Sequence, residues 1–134
     1  AGWLVWDKGV SPDATFSACE LAWTNIYGHI KRYEHRWSGM VRAGNRDEEL
    51  QDRVHPTQKP AGLLASIMAD IEANIILDLF LGSGSTLIAC EKTGRICYGM
   101  EIDPHYCDVI VARYCKYTGN DNIIKNGKEI KWQA

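Results

Sequence analysis

The pattern of hydrophobic positions is most regular in the second half of the chain, where strand-like and helix-like segments alternate. Apolar residues recur at helical spacing between residues 61 and 73, which predicts an amphipathic helix. The near-continuous apolar run from Ile75 to Phe80 predicts a strand that is covered on both faces. The pattern that follows predicts, in order, a helix over 85–93, a strand over 96–102 and a helix over 105–117. Strands and helices that alternate in this way imply parallel strands joined by right-handed crossovers.

The first half of the chain has a less regular pattern. Residues Gly2 to Trp6 are rich in aromatic and β-branched side chains and predict a short strand, which a loop to Asp13 follows. The apolar residues between 14 and 27 fit neither the helical period nor the strand period, so we expect an irregular segment, with a strand as the alternative. The glycine-punctuated residues 28–46 predict short strands. At the other end of the chain, residues 122–132 predict a hairpin that turns at Asn126-Gly127.

Length and composition fit a truncated α/β domain. The 134 residues, with 46% apolar content, can build one core, but this is small for a cofactor-binding enzyme. Because the chain starts directly in the strand at Gly2, we expect a fragment, a degenerate chain or one half of a split enzyme. No apolar run reaches the ~20 residues of a membrane span and no signal-peptide pattern is present, which favours a cytoplasmic protein.

The five cysteines do not indicate a metal site or a disulfide framework. They stand at positions 19, 90, 97, 107 and 115, without a Cys-x-x-Cys pair. An odd number of cysteines argues against complete disulfide pairing. We therefore expect buried, reduced thiols and no bound metal.

A glycine-rich turn after the predicted strand 75–80 carries the candidate chemistry. Gly82 and Gly84 suit a chain that turns sharply and presents backbone N–H groups to a ligand. Their spacing lacks the third glycine of the dinucleotide fingerprint and the lysine of the phosphate-binding loop. Asp78 before the turn would repel a pyrophosphate but attract a cation such as a sulfonium with an α-amino group. S-adenosylmethionine is such a ligand, and Glu101, 19 residues after Gly82, can reach its ribose hydroxyls.

Three motifs in a fixed order carry a family resemblance. They are His55-Pro-Thr-Gln-Lys-Pro60, Asp78-Leu-Phe-Leu-Gly-Ser-Gly-Ser-Thr86 and Gly99-Met-Glu-Ile-Asp-Pro104. In this order the chain resembles the C-terminal half of the beta-group DNA amino-methyltransferases, which methylate N6 of adenine or N4 of cytosine. The resemblance implies an α/β, Rossmann-like S-adenosylmethionine-dependent methyltransferase fold, with a partial parallel sheet and flanking helices. It implies a DNA methyltransferase of the restriction-modification type, with adenine favoured over cytosine.

The resemblance also implies which residues bind S-adenosylmethionine. Pro56 and Thr57 would lie at the cofactor carboxylate and Asp78 at its ammonium group. Phe80 would pack against the adenosine, and Glu101 would take the ribose hydroxyls. The other implied cofactor-binding residues are Gly82, Ser83, Gly84 and Ser85 near the methionine moiety, and Ile102 and Asp103 beside the adenine.

The sequence departs from the family in one motif. No Asp/Asn/Ser-Pro-Pro-aromatic tetrapeptide occurs in the 134 residues, so no catalytic residue is assigned. In the family this loop holds the target amine and stacks on the flipped base. The nearest match, Asp103-Pro104-His105-Tyr106, is better explained by a helix start, with Asp103 as the cap and Pro104 in the first turn. We therefore expect residues 1–54 to be a remnant of the catalytic, target-facing region, residues 55–134 to be the cofactor half, and the isolated chain to be inactive.

Charge offers one candidate surface for DNA. The net charge of −2 does not favour DNA, but residues 28–46 are basic with aromatic residues between them. The candidate DNA-binding residues are Lys31, Arg32, Arg36, Trp37 and Arg42. A solvated basic loop explains the same residues equally well. The expected partners are DNA and a second polypeptide or missing N-terminal half that carries the catalytic loop; a homodimer is left open.

Three alternatives are weighed against this interpretation. A non-catalytic cofactor- or DNA-binding remnant of a restriction-modification or phage gene would bind S-adenosylmethionine without turnover. A methyltransferase acting on RNA or small molecules is disfavoured, because such enzymes usually have the cofactor loop near the N-terminus, whereas here the motif at 55–60 precedes the glycine-rich turn. A nicotinamide-dependent oxidoreductase is disfavoured by the missing third glycine.

Overall fold

The computed structural model describes residues 1–38, 41–42 and 58–133, with the backbone alone at positions 38, 41 and 42. The chain divides into two units, Ala1–Gln51 and Asp52–Ala134. The first unit contains β1 (Gly2–Asp7), β2 (Cys19–Thr24), β3 (Ile30–Glu34), β4 (Trp37–Ser38) and β5 (Val41–Arg42). The second contains α1 (Ala61–Ala69), β6 (Ile75–Asp78), α2 (Ser85–Lys92), β7 (Ile96–Gly99), α3 (Pro104–Thr118), β8 (Asn122–Lys125) and β9 (Lys128–Lys131).

The first unit is built on a three-stranded sheet with β1 at its centre. β1 pairs antiparallel with β2 and parallel with β3, which confirms the predicted first strand. Trp6 and Tyr33 are direct partners across β1 and β3, and both are buried. The indole N–H of Trp6 donates to the carbonyl of His35 at 2.8 Å, so the buried ring has its polar atom satisfied. Within residues 14–27, β2 forms the strand that the sequence left as the alternative.

The second unit contains the predicted succession of strand, helix, strand and helix. β6 and β7 pair in parallel, from Ile75 opposite Ile96 to Asp78 opposite Gly99. Met68 of α1 packs with Ala89 and Cys90 of α2 in a buried cluster. Partly buried apolar residues surround this cluster: Leu64, Ala65, Ile76 and Cys97. Because residues of both strands and both helices share this core, the cluster holds β6 and β7 against α1 and α2.

The prediction that strand 75–80 is covered on both faces is wrong for the part of the chain that the structure describes. Ile76 packs against the helices, whereas Ile75 and Leu77, which point to the opposite face, are more than half exposed. Tyr98 on β7 is exposed as well. α1 and α2 pack on one side of the β6–β7 pair, and this leaves its second face open among the described residues.

α1 ends at Ala69, four residues before the predicted end at 73. The guanidinium group of Arg95, just before β7, explains the early end. It donates to the carbonyl oxygens of Met68 (2.8 Å), Ile71 (3.2 Å) and Ala73 (2.9 Å). Carbonyl groups at the end of a helix lack intrahelical partners, and Arg95 supplies donors for them.

The start of α3 confirms the predicted cap. The carboxylate of Asp103 accepts a hydrogen bond from the N–H of His105 at 2.9 Å, and Pro104 occupies the first turn. This geometry explains Asp103-Pro104 as a helix start. The predicted tail hairpin is also confirmed: β8 and β9 pair antiparallel, and Asn126 and Gly127 both have positive φ values, 52° and 78°.

The five cysteines are free thiols, as expected from their spacing. Cys90 and Cys115 are buried and Cys97 is partly buried. The expectation of burial is wrong for Cys19, on the sheet of the first unit, and for Cys107, on α3, because both are exposed. Among the described residues, no helix combines the length and apolar character that a membrane span requires.

Candidate functional site

Asp78 links the end of β6 to the first turn of α2. Its Oδ1 accepts a hydrogen bond from the N–H of Phe80 at 2.9 Å, which turns the chain out of the strand. Its Oδ2 accepts from the Thr86 hydroxyl at 2.6 Å. Both oxygens are therefore engaged, and a carboxylate can still accept further donors, because it offers about four lone-pair sites.

A glycine turn, defined here as Gly82–Ser85, connects β6 to α2. Gly82 has φ +57° and Gly84 has φ +82°, a region that favours glycine. The N–H of Gly84 donates to the carbonyl of Leu81 at 2.9 Å. A Cβ atom on Gly84 would lie 3.3 Å from the side chain of Ile110, so α3 packs closely behind the turn. Both predicted glycine positions thus have a conformational reason.

Glu101, after β7, holds the same turn from the side. Its Oε2 accepts from the N–H of Gly82 at 2.8 Å, and its Oε1 accepts from the N–H of Asp103 at 2.9 Å. The hydrogen bond from Asp103 and then that from Gly82 lower the pKa of Glu101 below its ordinary value, because both favour the charged form. Glu101 is therefore an ionised residue fixed against the glycine turn.

A pocket of about 240 Å³ lies at the carboxyl end of β6. The residues that line it come from the segment before α1, from α1, and from the β6–α2 connection. They are Gln58, Lys59, Leu64, Asp78, Phe80, Leu81, Gly82, Ser83, Ser85 and Thr86. The pocket thus combines one acid and one base with hydroxyl, glycine and apolar residues, and this arrangement suits a ligand that carries both charges.

The structure brings most of the predicted cofactor residues together. Five of them line the pocket: Asp78, Phe80, Gly82, Ser83 and Ser85. Gly84 lies in the turn beside it, and Glu101 and Asp103 are joined to each other next to the turn. Phe80 is 88% exposed and Ile102 is 97% exposed, so both offer apolar surface near the site. Pro56 and Thr57 lie outside the described residues.

Five residues that line the pocket were not among the predicted cofactor residues, namely Gln58, Lys59, Leu64, Leu81 and Thr86. Gln58 and Lys59 stand within the motif His55–Pro60, so their position beside Thr57 was the available signal. Thr86 follows the glycine turn directly, and a hydroxyl in the first turn of a helix can reach an acid at the end of the preceding strand. Leu64 belongs to the apolar pattern of residues 61–73, which indicates a helix and gives no signal for a pocket.

In the first unit, the candidate DNA-binding residues Lys31 and Arg32 lie next to each other on β3 and therefore point to opposite faces of the sheet. The Lys31 ammonium lies over the rings of Tyr27 (5.0 Å) and Tyr33 (5.7 Å). Arg32 forms ion pairs with Asp7 (3.3 Å) and Glu34 (3.5 Å). Both cations are thus engaged within the unit and do not share one surface.

The other three candidates follow β3. Arg36 is exposed and lies in the connection to β4. Trp37 on β4 pairs with Arg42 on β5 in the antiparallel register, and the side chain of Arg42 lies outside the described atoms. The structure therefore brings Trp37 and Arg42 together along the backbone, but it does not join all five candidates on one face.

Comparisons with known proteins place this geometry in a family context. Residues 14–112 match the N6/N4 methyltransferase family model, described as DNA methylase. The Type II methyltransferase M.ScaI of Streptomyces caespitosus is 33% identical over 75 residues, which cover 54% of this chain and 25% of that protein. The Type II methyltransferase M.BglII of Bacillus subtilis is 36% identical over 66 residues, which cover 48% of this chain and 18% of that protein. The matched segment thus spans a quarter or less of these curated relatives.

A solved structure shares the fold. The crystal structure of the M1.HpyAVI–SAM complex superimposes with a TM-score of 0.60 at 22% identity, over 84% of this chain and 60% of that one. At this identity the likeness shows the fold. It confirms the predicted α/β, Rossmann-like methyltransferase fold.

Proposed function

The chain belongs to the N6/N4 DNA methylase family, and from this premise we propose that it is part of an S-adenosylmethionine-dependent DNA methyltransferase of the restriction-modification type. The proposed acceptor is an exocyclic amine of a DNA base, with N6 of adenine favoured over N4 of cytosine. The solved structure with the same fold is a complex with S-adenosylmethionine, which supports the same cofactor for this chain.

The observation that carries the proposal is the charge pattern of the pocket at the end of β6. Asp78 and Lys59 both line it. The methionine end of S-adenosylmethionine carries an ammonium and a sulfonium cation together with a carboxylate, so its charges complement one acid and one base. The carboxylate of Asp78 would hold the cationic part, and Lys59 and the segment that precedes α1 would hold the anionic part.

The remaining predicted residues suit the adenosine part of the cofactor. Glu101 has two oxygens engaged by backbone N–H groups, and its further lone pairs would accept the ribose hydroxyls. The exposed side chains of Phe80 and Ile102 would pack on the adenine, because burying apolar surface against a flat ring is favourable. S-adenosylmethionine supplies a methyl group that is already activated on sulfur, so the protein contributes mainly position.

Transfer to DNA requires a group that holds the target amine. The 134 residues contain no Asp/Asn/Ser-Pro-Pro-aromatic tetrapeptide. We infer that this chain acts together with a segment or polypeptide that carries that loop and that it transfers no methyl group alone. The basic residues Arg36 and Arg42, with Trp37 beside them, are the proposed contacts to the DNA backbone, because cations neutralise phosphates.

A calorimetric titration of the 134-residue chain with S-adenosylmethionine tests the cofactor assignment. We expect saturable binding in the parent chain and a loss of at least about tenfold in affinity in Asp78→Asn, since the amide keeps the shape but removes the charge. Asp108→Asn, on the exposed part of α3, is the matched control and should bind as the parent does. Absence of binding by the folded parent chain would refute the proposed function.

The second candidate function is a remnant that binds S-adenosylmethionine or DNA without catalysis. The absence of the catalytic tetrapeptide favours this alternative. Transfer of a radiolabelled methyl group to DNA, measured with and without a polypeptide that carries the catalytic loop, distinguishes the two. DNA methylation that occurs only when the second polypeptide is added supports the complementation proposal. Binding of S-adenosylmethionine or DNA without methyl transfer in either sample supports a non-catalytic remnant.

A further inference from the structure

Arg113, on α3, is a second charged side chain that contacts the glycine turn, in addition to Glu101. Its Nη1 lies 3.0 Å from the carbonyl oxygen of Ser83, 3.4 Å from the Ser83 hydroxyl and 3.2 Å from the Ser85 hydroxyl. Both serines are buried, and both line the pocket. One guanidinium group thus contacts two of the four residues in the turn, through backbone as well as side chains.

These contacts help to fix the peptide units of the turn. The peptide unit between Leu81 and Gly82 is held at both ends, because its carbonyl accepts from Gly84 and its N–H donates to Glu101. The unit between Ser83 and Gly84 is also held at both ends, since its carbonyl accepts from Arg113 and its N–H donates to Leu81. Arg113 therefore supplies one end of the second unit. The peptide unit between Gly82 and Ser83 stands between these two fixed units and borders the pocket.

The location of Arg113 is not explained by helix stability. A cation near the N-terminus of a helix is opposed by the helix dipole, and the turn leads directly into the N-terminus of α2. A hydrogen bond from a charged donor is stronger than a neutral one, and the guanidinium group orients the carbonyl that it contacts. The arrangement favours a role in setting the direction of the turn over a role in stabilising α2.

We propose that Arg113 is a positioning residue of the cofactor site, which orients the Ser83–Gly84 peptide unit so that the glycine turn is preformed for S-adenosylmethionine. The inference rests on the proposed function, because it assigns Arg113 to the same cofactor. Arg113 acts through the turn and does not line the pocket itself. Its sequence position, 30 residues after Ser83, carries no motif that would have identified it.

The test compares the parent chain with Arg113→Met and Arg113→Lys. Met keeps an apolar stem and removes every donor, and Lys keeps the charge but is one bond shorter. We expect the dissociation constant for S-adenosylmethionine to rise at least about tenfold in Arg113→Met and by a smaller factor in Arg113→Lys. In proton–nitrogen correlation spectra without cofactor, we expect the amide signals of Gly82 and Gly84 to shift or broaden in Arg113→Met.

Arg95→Met provides a matched control. Arg95 is a second partly buried arginine in the same unit, and its guanidinium donates to backbone carbonyls near the end of α1 without contacting the glycine turn. We expect Arg95→Met to lower the thermal midpoint while the folded protein keeps the parent affinity and the parent signals of Gly82 and Gly84. A general loss of stability would change the midpoint in both variants but would not separate their affinities.

The outcomes separate this inference from the proposed function. Parent-like affinity and unchanged glycine signals in Arg113→Met would overturn the positioning role while leaving the cofactor assignment intact. Failure of the parent chain to bind S-adenosylmethionine would overturn the proposed function, and with it the cofactor role of Arg113. If Arg113→Met does not fold, Arg113→Lys decides: parent-like affinity with unchanged glycine signals overturns the inference, and weaker binding with shifted signals supports it.

Discussion

Glu101 and Gly82 are joined by a hydrogen bond of 2.8 Å, from the backbone N–H of Gly82 to Oε2 of Glu101, across 19 positions of the sequence. The other oxygen of the same carboxylate accepts from Asp103, which in turn caps α3. A single side chain thus connects the glycine turn after β6 to the helix after β7. Because its remaining lone pairs stay available as acceptors, this structural role is compatible with the proposed binding of ribose hydroxyls.

Glu101→Gln should weaken binding of S-adenosylmethionine at least about tenfold. The amide has one acceptor oxygen and one NH₂ group, so one of the two backbone N–H groups would face a donor. Calorimetric titration measures the change. Glu129→Gln, on the exposed β9 strand, is the control and should bind as the parent does. Parent-like affinity in Glu101→Gln would contradict the assigned role.

The same carboxylate predicts a pH dependence of stability. The N–H groups of Asp103 and Gly82 lower the pKa of Glu101 below its ordinary value of 4.5. A lowered pKa in the folded state gives stability that is present above the ordinary value and is lost as the pH falls through the folded value. We expect the difference in free energy of unfolding between the parent chain and Glu101→Gln to be constant from pH 7 to about pH 5 and to shrink below it. Urea unfolding at stepped pH measures this difference, and a difference that stays constant to pH 3 would count against the prediction.

The local features of the site could be predicted because their causes are local. The positive φ values of Gly82 and Gly84 follow from a tight strand-to-helix turn, and the cap at Asp103 follows from the proline after it. The early end of α1 could not be predicted in this way. It depends on Arg95, whose guanidinium group reaches carbonyls 22 to 27 positions earlier in the chain.

The candidate DNA surface shows a different limit. Lys31 and Arg32 are both basic, and a count of charges treats them alike. Once they lie on one strand, alternation sends them to opposite faces, and Asp7 and Glu34 pair with Arg32. The sequence did not give the bounds of β3, and it did not show that Asp7 of β1 pairs with Arg32. The distribution of these charges over two faces therefore could not be predicted.

The five thiols should differ in reactivity. Burial raises the pKa of Cys97 to about 12 and also raises the pKa values of Cys90 and Cys115. Because the thiolate is the reactive form, these three thiols should resist a disulfide reagent at pH 8. Cys19 and Cys107 are exposed and should react quickly. A spectrophotometric thiol titration should therefore give two fast equivalents in the native chain and five in urea.

Two serine variants check which thiols are fast. Cys19→Ser and Cys107→Ser should each leave one fast equivalent, and the double variant should leave none. Three or more fast equivalents in the native parent chain would show that the structure around at least one of Cys90, Cys97 and Cys115 opens on the timescale of the reaction.

Gly84→Ala should destabilise the chain more than Gly119→Ala, although both glycines have positive φ values, 82° and 68°. An alanine in this region costs about 1–2 kcal/mol at either position. At Gly119 a Cβ atom would meet no atom within 4 Å, whereas at Gly84 it would lie 3.3 Å from Ile110. Crowding therefore adds to the conformational cost at Gly84 alone. Urea unfolding of both variants measures the difference, and equal losses would contradict the close packing of α3 behind the turn.

A double-mutant cycle isolates the contribution of Ile110. Ile110→Ala removes the Cγ atoms that a Cβ on Gly84 would crowd, so Gly84→Ala should cost less in that background than in the parent chain. The same cycle with Gly119→Ala should be additive, because Gly119 lies at the other end of α3 and its added Cβ would meet nothing. Additivity in both cycles would mean that the cost at Gly84 is conformational alone, and that the contact with α3 does not hold the glycine turn in place.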